Sequence, residues 1–282
     1  MGSMMDATGR RQGTLIHAIG IAGAGLMVLA DLLMLYAPVS RMQYDFLEVA
    51  RSIPEMRVIA GDYLGLLGVS MVLVGLYGIY IVLRPAGRGR SLPPILLLAY
   101  AYVLGAVFHH AVGMTMASAR QEGLGGVADI ITADLVASFL QPLGVAFLIV
   151  VVVGSGWLFV TLLLTRIAYP RWMAFLSPLV LVLAFRAVIL VGSPAVVGAL
   201  VPAGPNLAML LFFIASTAWL RIHPPGSEDL GSESLKRTSR RRVGLARTVR
   251  KFEVRIVRPA IFQFPVDLPL RWQVFFLYQR VT

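Results

Sequence analysis

Residues 59–83 read IAGDYLGLLGVSMVLVGLYGIYIVL, a run whose one charged side chain is Asp62. As a helix it is long enough to cross the roughly 30 Å of hydrocarbon in a bilayer. It lacks the alternation of period two that a membrane barrel strand would show, and a helix in lipid satisfies its own backbone groups. Comparable runs occupy residues 14–36, 94–117, 136–165, 172–192 and 205–220. The pattern predicts an all-α fold, a polytopic transmembrane helical bundle of about six spans.

Composition agrees. The 282 residues are 58% apolar and 14% charged, with a mean hydropathy of +0.80, where a soluble domain is about a quarter charged. The absence of cysteine excludes disulfides, a thiol nucleophile and cysteine metal ligation. Of the net charge of +11, most falls late: from His223 onward twelve Lys and Arg face five acids (Glu228, Asp229, Glu233, Glu253, Asp267), a net of +7. Three regions follow: an N-terminus of residues 1–13, a bundle of residues 14–221 and a basic tail of residues 222–282. Arg10 and Arg11 precede the first run, but no small-residue cleavage site follows, so that run reads as a retained helix.

Loop arginines set the expected orientation. Arg10 and Arg11, then Arg84, Arg88 and Arg90, then Arg166 and Arg171, then the tail from Arg221 alternate with connections that are mixed in charge or nearly free of basic residues. By the positive-inside rule both termini are cytoplasmic, in a plasma membrane of bacterial type. Tyr77, Tyr80 and Tyr169-Pro170-Arg171-Trp172 read as interfacial anchors at the inner side. No internal repeat supports a duplicated transporter fold.

In the tail, a polar stretch at 223–234 leads to a basic segment at 236–258, where Leu245, Val249, Phe252 and Ile256 recur at helical spacing opposite Arg247, Arg250, Lys251 and Arg255. Such a surface helix would bind anionic headgroups, each basic residue contributing about 1 kcal/mol. Nucleic acid is the less favoured partner, because no aromatic platform or recognised motif accompanies the charge. Residues 259–282 receive no functional reading.

With the orientation set, the polar membrane residues fall in one outer-side layer. Asp31, His109, His110 and Arg186 lie on the order of 8 to 12 Å below the outer surface at 1.5 Å per residue. Asp62, Asp134, Gln141 and Asn206 lie in or just above that layer. A lone ion pair would suffice as glue between helices, whereas this set holds two histidines, three carboxylates and an arginine, which points to a pocket. His109 or His110 would serve as general base with a carboxylate orienting it. A bland reading stands beside this one: Asp31 pairs with Arg186 or a histidine, and Asn206 caps the sixth helix.

Metal binding is weakly signalled. His109, His110 and Asp31, with Asp134, could supply ligands, but no His-x-x-x-His or Glu-x-x-x-His spacing puts two on one helix face. No cofactor motif is found. Gly154-Ser155-Gly156 is too short for a nucleophile elbow and reads as a close-packing site. His17 reads as a solvated or headgroup-contacting residue in the first turn of the first helix.

Three short motifs carry a resemblance: Ala30-Asp31-Leu32-Leu33-Met34-Leu35-Tyr36, Tyr169-Pro170-Arg171-Trp172 and Pro205-Asn206-Leu207. Over about residues 14–221 the chain resembles a bacterial six-helix membrane family of unknown function. The resemblance implies the six-helix architecture, singles out Asp31, Arg171 and Asn206 by motif position, and assigns no reaction.

The leading expectation is an intramembrane enzyme acting on a small lipophilic substrate, a lipid or isoprenoid-type molecule that enters between helices and meets acid/base groups in the outer-side pocket. A transporter or ion-coupled carrier is the alternative, and would need polar residues through both halves of the bilayer. The third reading is a non-catalytic scaffold acting through the tail.

Overall fold

The computed structural model describes residues 2–38, 46–120, 126–165 and 167–223, so every expectation about the basic tail beyond 223 lies outside the described residues. Eight α-helices are described: α1 Gly2–Leu35, α2 Phe46–Ser52, α3 Glu55–Leu83, α4 Arg88–Ser118, α5 Gly126–Leu135, α6 Gln141–Leu164, α7 Pro178–Val191 and α8 Pro194–Ile222. Among the described residues there is no strand. Five helical segments are long and apolar enough to cross a membrane, and α7 is a shorter apolar helix of 14 residues. The chain is an all-α bundle of the multi-pass membrane type.

Residues 136–165 are longer than a span needs because they belong to a still longer helical segment. α5 passes through one π turn, Val136–Leu140, into α6. Pro142 does not redirect the chain, because it sits in the first turn of α6 where a missing N–H costs little. The sixth span begins eleven residues earlier than the apolar run suggests, at Pro194, and carries Pro202 and Pro205 inside it. Asn206 is therefore an interior residue of α8 and not its cap. Residues 171–176 form a 3-10 turn ahead of α7, which shortens the expected fifth span.

Glycine lets α1 and α3 touch backbone to backbone. A Cβ on Gly75 would stand 2.5 Å from the Cα of Gly20, and one on Gly23 would stand 2.7 Å from the backbone nitrogen of Val72. Without a hydrophobic driving force between helices in lipid, such close approach supplies the van der Waals contact that holds them. The same contacts set α1 antiparallel to α3, and Phe213 against Gly20 and Gly75 sets α8 antiparallel to α1. Gly154 plays the expected packing role on α6, its missing Cβ leaving 3.2 Å to the backbone nitrogen of Leu98.

The main core, around Leu76, Ile79, Leu98, Leu158, Phe212 and Phe213, fills the middle and the end where α1 begins. A second cluster, with Met34, Val49, Ile53, Val112 and Met116, fills the end where α1 finishes. His17 is 4% exposed, fifteen residues past the start of α1, with its ring against Gly78. It is a buried residue of the bundle, because the helix starts well before the apolar run does.

Candidate functional site

Between the two cores lies a polar node built from four helices. Asp31 of α1, His109 of α4 and Asn206 of α8 converge on Gly61 of α3. The Asn206 amide nitrogen donates to Asp31 Oδ2 at 2.7 Å. His109 Nδ1 stands 3.6 Å from Asp31 Oδ1, an ion-pair distance longer than a hydrogen bond. His109 Nε2 lies 3.2 Å from the Gly61 carbonyl oxygen. A carbonyl only accepts, so Nε2 carries a proton. Nδ1 then faces the carboxyl either as a second N–H or as a lone pair toward a protonated Asp31. Both arrangements leave the pair neutral overall, which suits a site where an isolated charge is costly.

The imidazole of His109 fits because α3 offers it a notch. A Cβ on Gly65 would fall 2.6 Å from Cδ2 and Nε2 of the ring. Tyr102, buried one to two turns before His109 on α4, lies within electrostatic range of Asp31.

A second pair flanks this node on the exposed side of α4. His110 Nδ1 lies 2.7 Å from Asp62 Oδ2, with the histidine side chain 56% exposed and the aspartate 17%. With Asp62 ionised, Nδ1–H donates to the carboxylate, and Nε2 is left as the acceptor, pointing away. Asp62 Oδ1 is buried and has no partner among the described residues. The exposed face of α4 runs Leu96, Tyr100, Val103, Val107, His110 and Met114, spaced by alternate threes and fours. His110 and Tyr100 are the polar side chains on that otherwise apolar stripe, and His110 alone of the two holds a carboxylate.

The remaining candidates stand elsewhere. Asp134 is exposed on α5 and accepts from Ser138 Oγ at 3.1 Å. Gln141 is half-buried at the start of α6, and Arg186 is half-buried on α7. Asp31 takes a histidine as its ion-pair partner. Among the described residues no three His, Asp or Glu side chains are grouped to hold a metal ion.

Apolar side chains close the node toward the end where α1 finishes. Met34 lies one turn beyond Asp31 on α1, and Val112 and Met116 lie one and two turns beyond His109 on α4. They pack with Val49, Ala50 and Ile53 of the α2 region. Arg120 ties that region down, its guanidinium donating to the Ala50 carbonyl at 3.0 Å and to the Ile53 carbonyl. Burial lowers the Arg120 pKa, and the charge of Glu55 opposes the shift.

Residue types alone point to none of Gly61, Gly65, Tyr102 or Arg120. The glycine spacing on α3 is visible in the sequence, but which histidine it receives depends on the rotational phase of α4.

Comparison with known proteins adds a family and no precedent for chemistry. A family model described as a family of unknown function matches residues 5–221. No curated protein matches, and no solved structure matches.

Proposed function

Because the chain belongs to DUF6796, a family of unknown function, over residues 5–221, its chemistry has to be read from its own side chains, and we propose an intramembrane enzyme acting on a lipid or isoprenoid-type substrate. The observation that carries this is the His110–Asp62 pair, 2.7 Å apart, with His110 on the exposed and mainly apolar stripe of α4 and Asp62 reaching it from α3. In this reading a substrate already dissolved in the bilayer lies along Val103 and Val107 and brings a hydroxyl or a bound water to Nε2. The proton passes from that oxygen to Nε2 and Asp62 stabilises the imidazolium. The oxygen attacks an ester carbonyl or phosphoryl centre of the substrate, and the bond to the leaving alcohol breaks as that alcohol takes the proton from Nε2.

Asp31, His109 and Asn206 take a supporting part. Both ring nitrogens of His109 face partners, so it positions α4 and fixes the phase that turns His110 outward. The membrane is the cell membrane, with both termini cytoplasmic as the loop arginines require, so the pair stands in the outer leaflet.

The carrier reading would need a polar path from His17 to Asp31. The α1–α3 seam between them is packed through Gly20, Gly23, Ala24 and Met27, which favours the enzyme.

The test is made in cells that produce the full chain. His110→Ala and Asp62→Asn are each expected to reach normal levels in the membrane while a lipid species accumulates in mass-spectrometric profiles. Profiles identical to wild type for both variants, at normal protein level, would remove the reading.

A further inference from the structure

The opposite end of the bundle carries charge of one sign. Arg84, Arg88 and Arg90 are exposed at the turn between α3 and α4, Arg171 is exposed at the 3-10 turn before α7, and Arg221 is exposed in the last turn of α8. The turn that brings three of them together rests on Gly87, whose φ of 89° is one that side-chain-bearing residues seldom adopt. Among the described residues whose side chains are placed, the carboxylates are Asp31, Glu55, Asp62 and Asp134, and all belong to the other half of the bundle. None of the five arginines makes an ion pair among the described residues.

The two groups border one connection. Thr161 Oγ1 of α6 donates to the Arg90 carbonyl at 3.2 Å, and Trp219 Nε1 of α8 donates to the Ala168 carbonyl at 2.8 Å. Aromatic rings accompany each group. Tyr77 and Tyr80 pair at 6.3 Å one to two turns before Arg84, and Trp172 meets Trp219 edge-on at 5.7 Å. His223 stacks on Trp219 at 3.7 Å.

We infer that this end binds anionic phospholipid, with the five guanidinium groups on the phosphodiester and the rings of Tyr77, Trp172 and Trp219 at the boundary between headgroup and acyl chain. Arginine presents a planar fork that matches phosphate oxygens two at a time. Among the described residues no carboxylate meets these five cations, and like charges on one rim repel one another until an anion neutralises them. Tyrosine and tryptophan beside arginine at a common depth is the pattern of a bilayer interface. Tyr77 and Trp172 are exposed, and Trp219 is half-buried and held by the Ala168 carbonyl.

The test uses the full chain in nanodiscs of mixed phosphatidylglycerol and phosphatidylcholine. Mass spectrometry of the lipids retained in mild detergent is expected to show phosphatidylglycerol enriched at least about tenfold, as several basic residues near a surface imply. Combining Arg84→Gln, Arg88→Gln, Arg90→Gln, Arg171→Gln and Arg221→Gln should bring that ratio close to its bulk value while the helical circular dichroism is kept. An unchanged ratio would assign the effect to the tail and overturn the inference. Displacement of the lipid by glycerol phosphate in water would overturn it too, because the site would then read free phosphate.

Should the combined variant not fold, the wild type still decides. A phosphatidylglycerol carrying a photoreactive headgroup should label peptides containing residues 84–90 and 171–176. Labelling confined to residues 224–282 would sink the proposal.

Discussion

The Cδ2–Nε2 edge of the His109 ring lies against Gly65, so close that a Cβ there would stand 2.6 Å from both atoms. Gly65→Ala forces either the imidazole or the helix to move. Overpacking of this kind typically costs 1–3 kcal/mol, about what thermal unfolding in detergent should register. Gly25→Ala is the control, since a Cβ there meets nothing within 4 Å. Equal behaviour of the two variants would contradict the notch.

Asp31 and His109 neutralise each other in a buried place, so removing one alone should cost more than removing both. Asp31→Ala leaves both His109 Nδ1 and the Asn206 amide without the carboxyl they face, a loss on the order of 3–5 kcal/mol when a buried partner is stranded. Asp31→Ala combined with His109→Leu should recover part of that loss in denaturant unfolding. Strict additivity of the two single changes would argue against the pair.

The neighbouring histidines differ in access. His110 is exposed while His109 is buried with both nitrogens engaged. A membrane-permeant, imidazole-modifying reagent should therefore acylate His110 of the folded protein and spare His109, as read by peptide mass spectrometry. The reverse order of labelling would exchange their roles in the proposed reaction.

At the arginine-rich end, Tyr169 is buried and hydrogen-bonded to Ser216. Burial pushes its phenol pKa up, and the Ser216 hydrogen bond opposes this more weakly. The unfolded chain releases that proton near pH 10 while the folded one holds it, so the contribution is intact below pH 10 and is lost as pH rises above it. Tyr169→Phe should lower stability by about 1 kcal/mol at neutral pH and flatten the decline above pH 10. An unchanged alkaline slope would mean that other groups cause the decline.

Arg120 holds the carbonyls of Ala50 and Ile53 over the node. Arg120→Met should release α2, seen as faster amide hydrogen exchange at Val49 and Ala50. The exchange free energy should fall by about 1.5–3 kcal/mol, as for hydrogen bonds to a charged donor. Exchange as slow as in the wild type would show that apolar packing alone keeps α2 in place.

Apolar run length sufficed to find the helical segments, while the counting that put Asn206 at the outer start of the sixth span began from residue 205, eleven residues past the true start of α8. What run length cannot supply is rotation. Whether Asp31 meets Arg186 or a histidine depends on the phase of three helices, which glycines at 61, 65, 68 and 75 set by letting backbones touch. Proline ends helices in water, yet Pro202 and Pro205 lie inside α8, because within a bundle neighbouring helices relieve the lost bonds. His17 was misplaced for the same kind of reason, since α1 continues for more than three turns before the apolar run begins.

The apolar layer of Met34, Val112 and Met116 above the node, at the end where α1 finishes, has a consequence for proton exchange. A proton or ion coming to Asp31 or His109 from that end must cross side chains that offer it no hydrogen bond. The node is thereby insulated on that side, and exchange of its protons with water waits on an opening of the bundle.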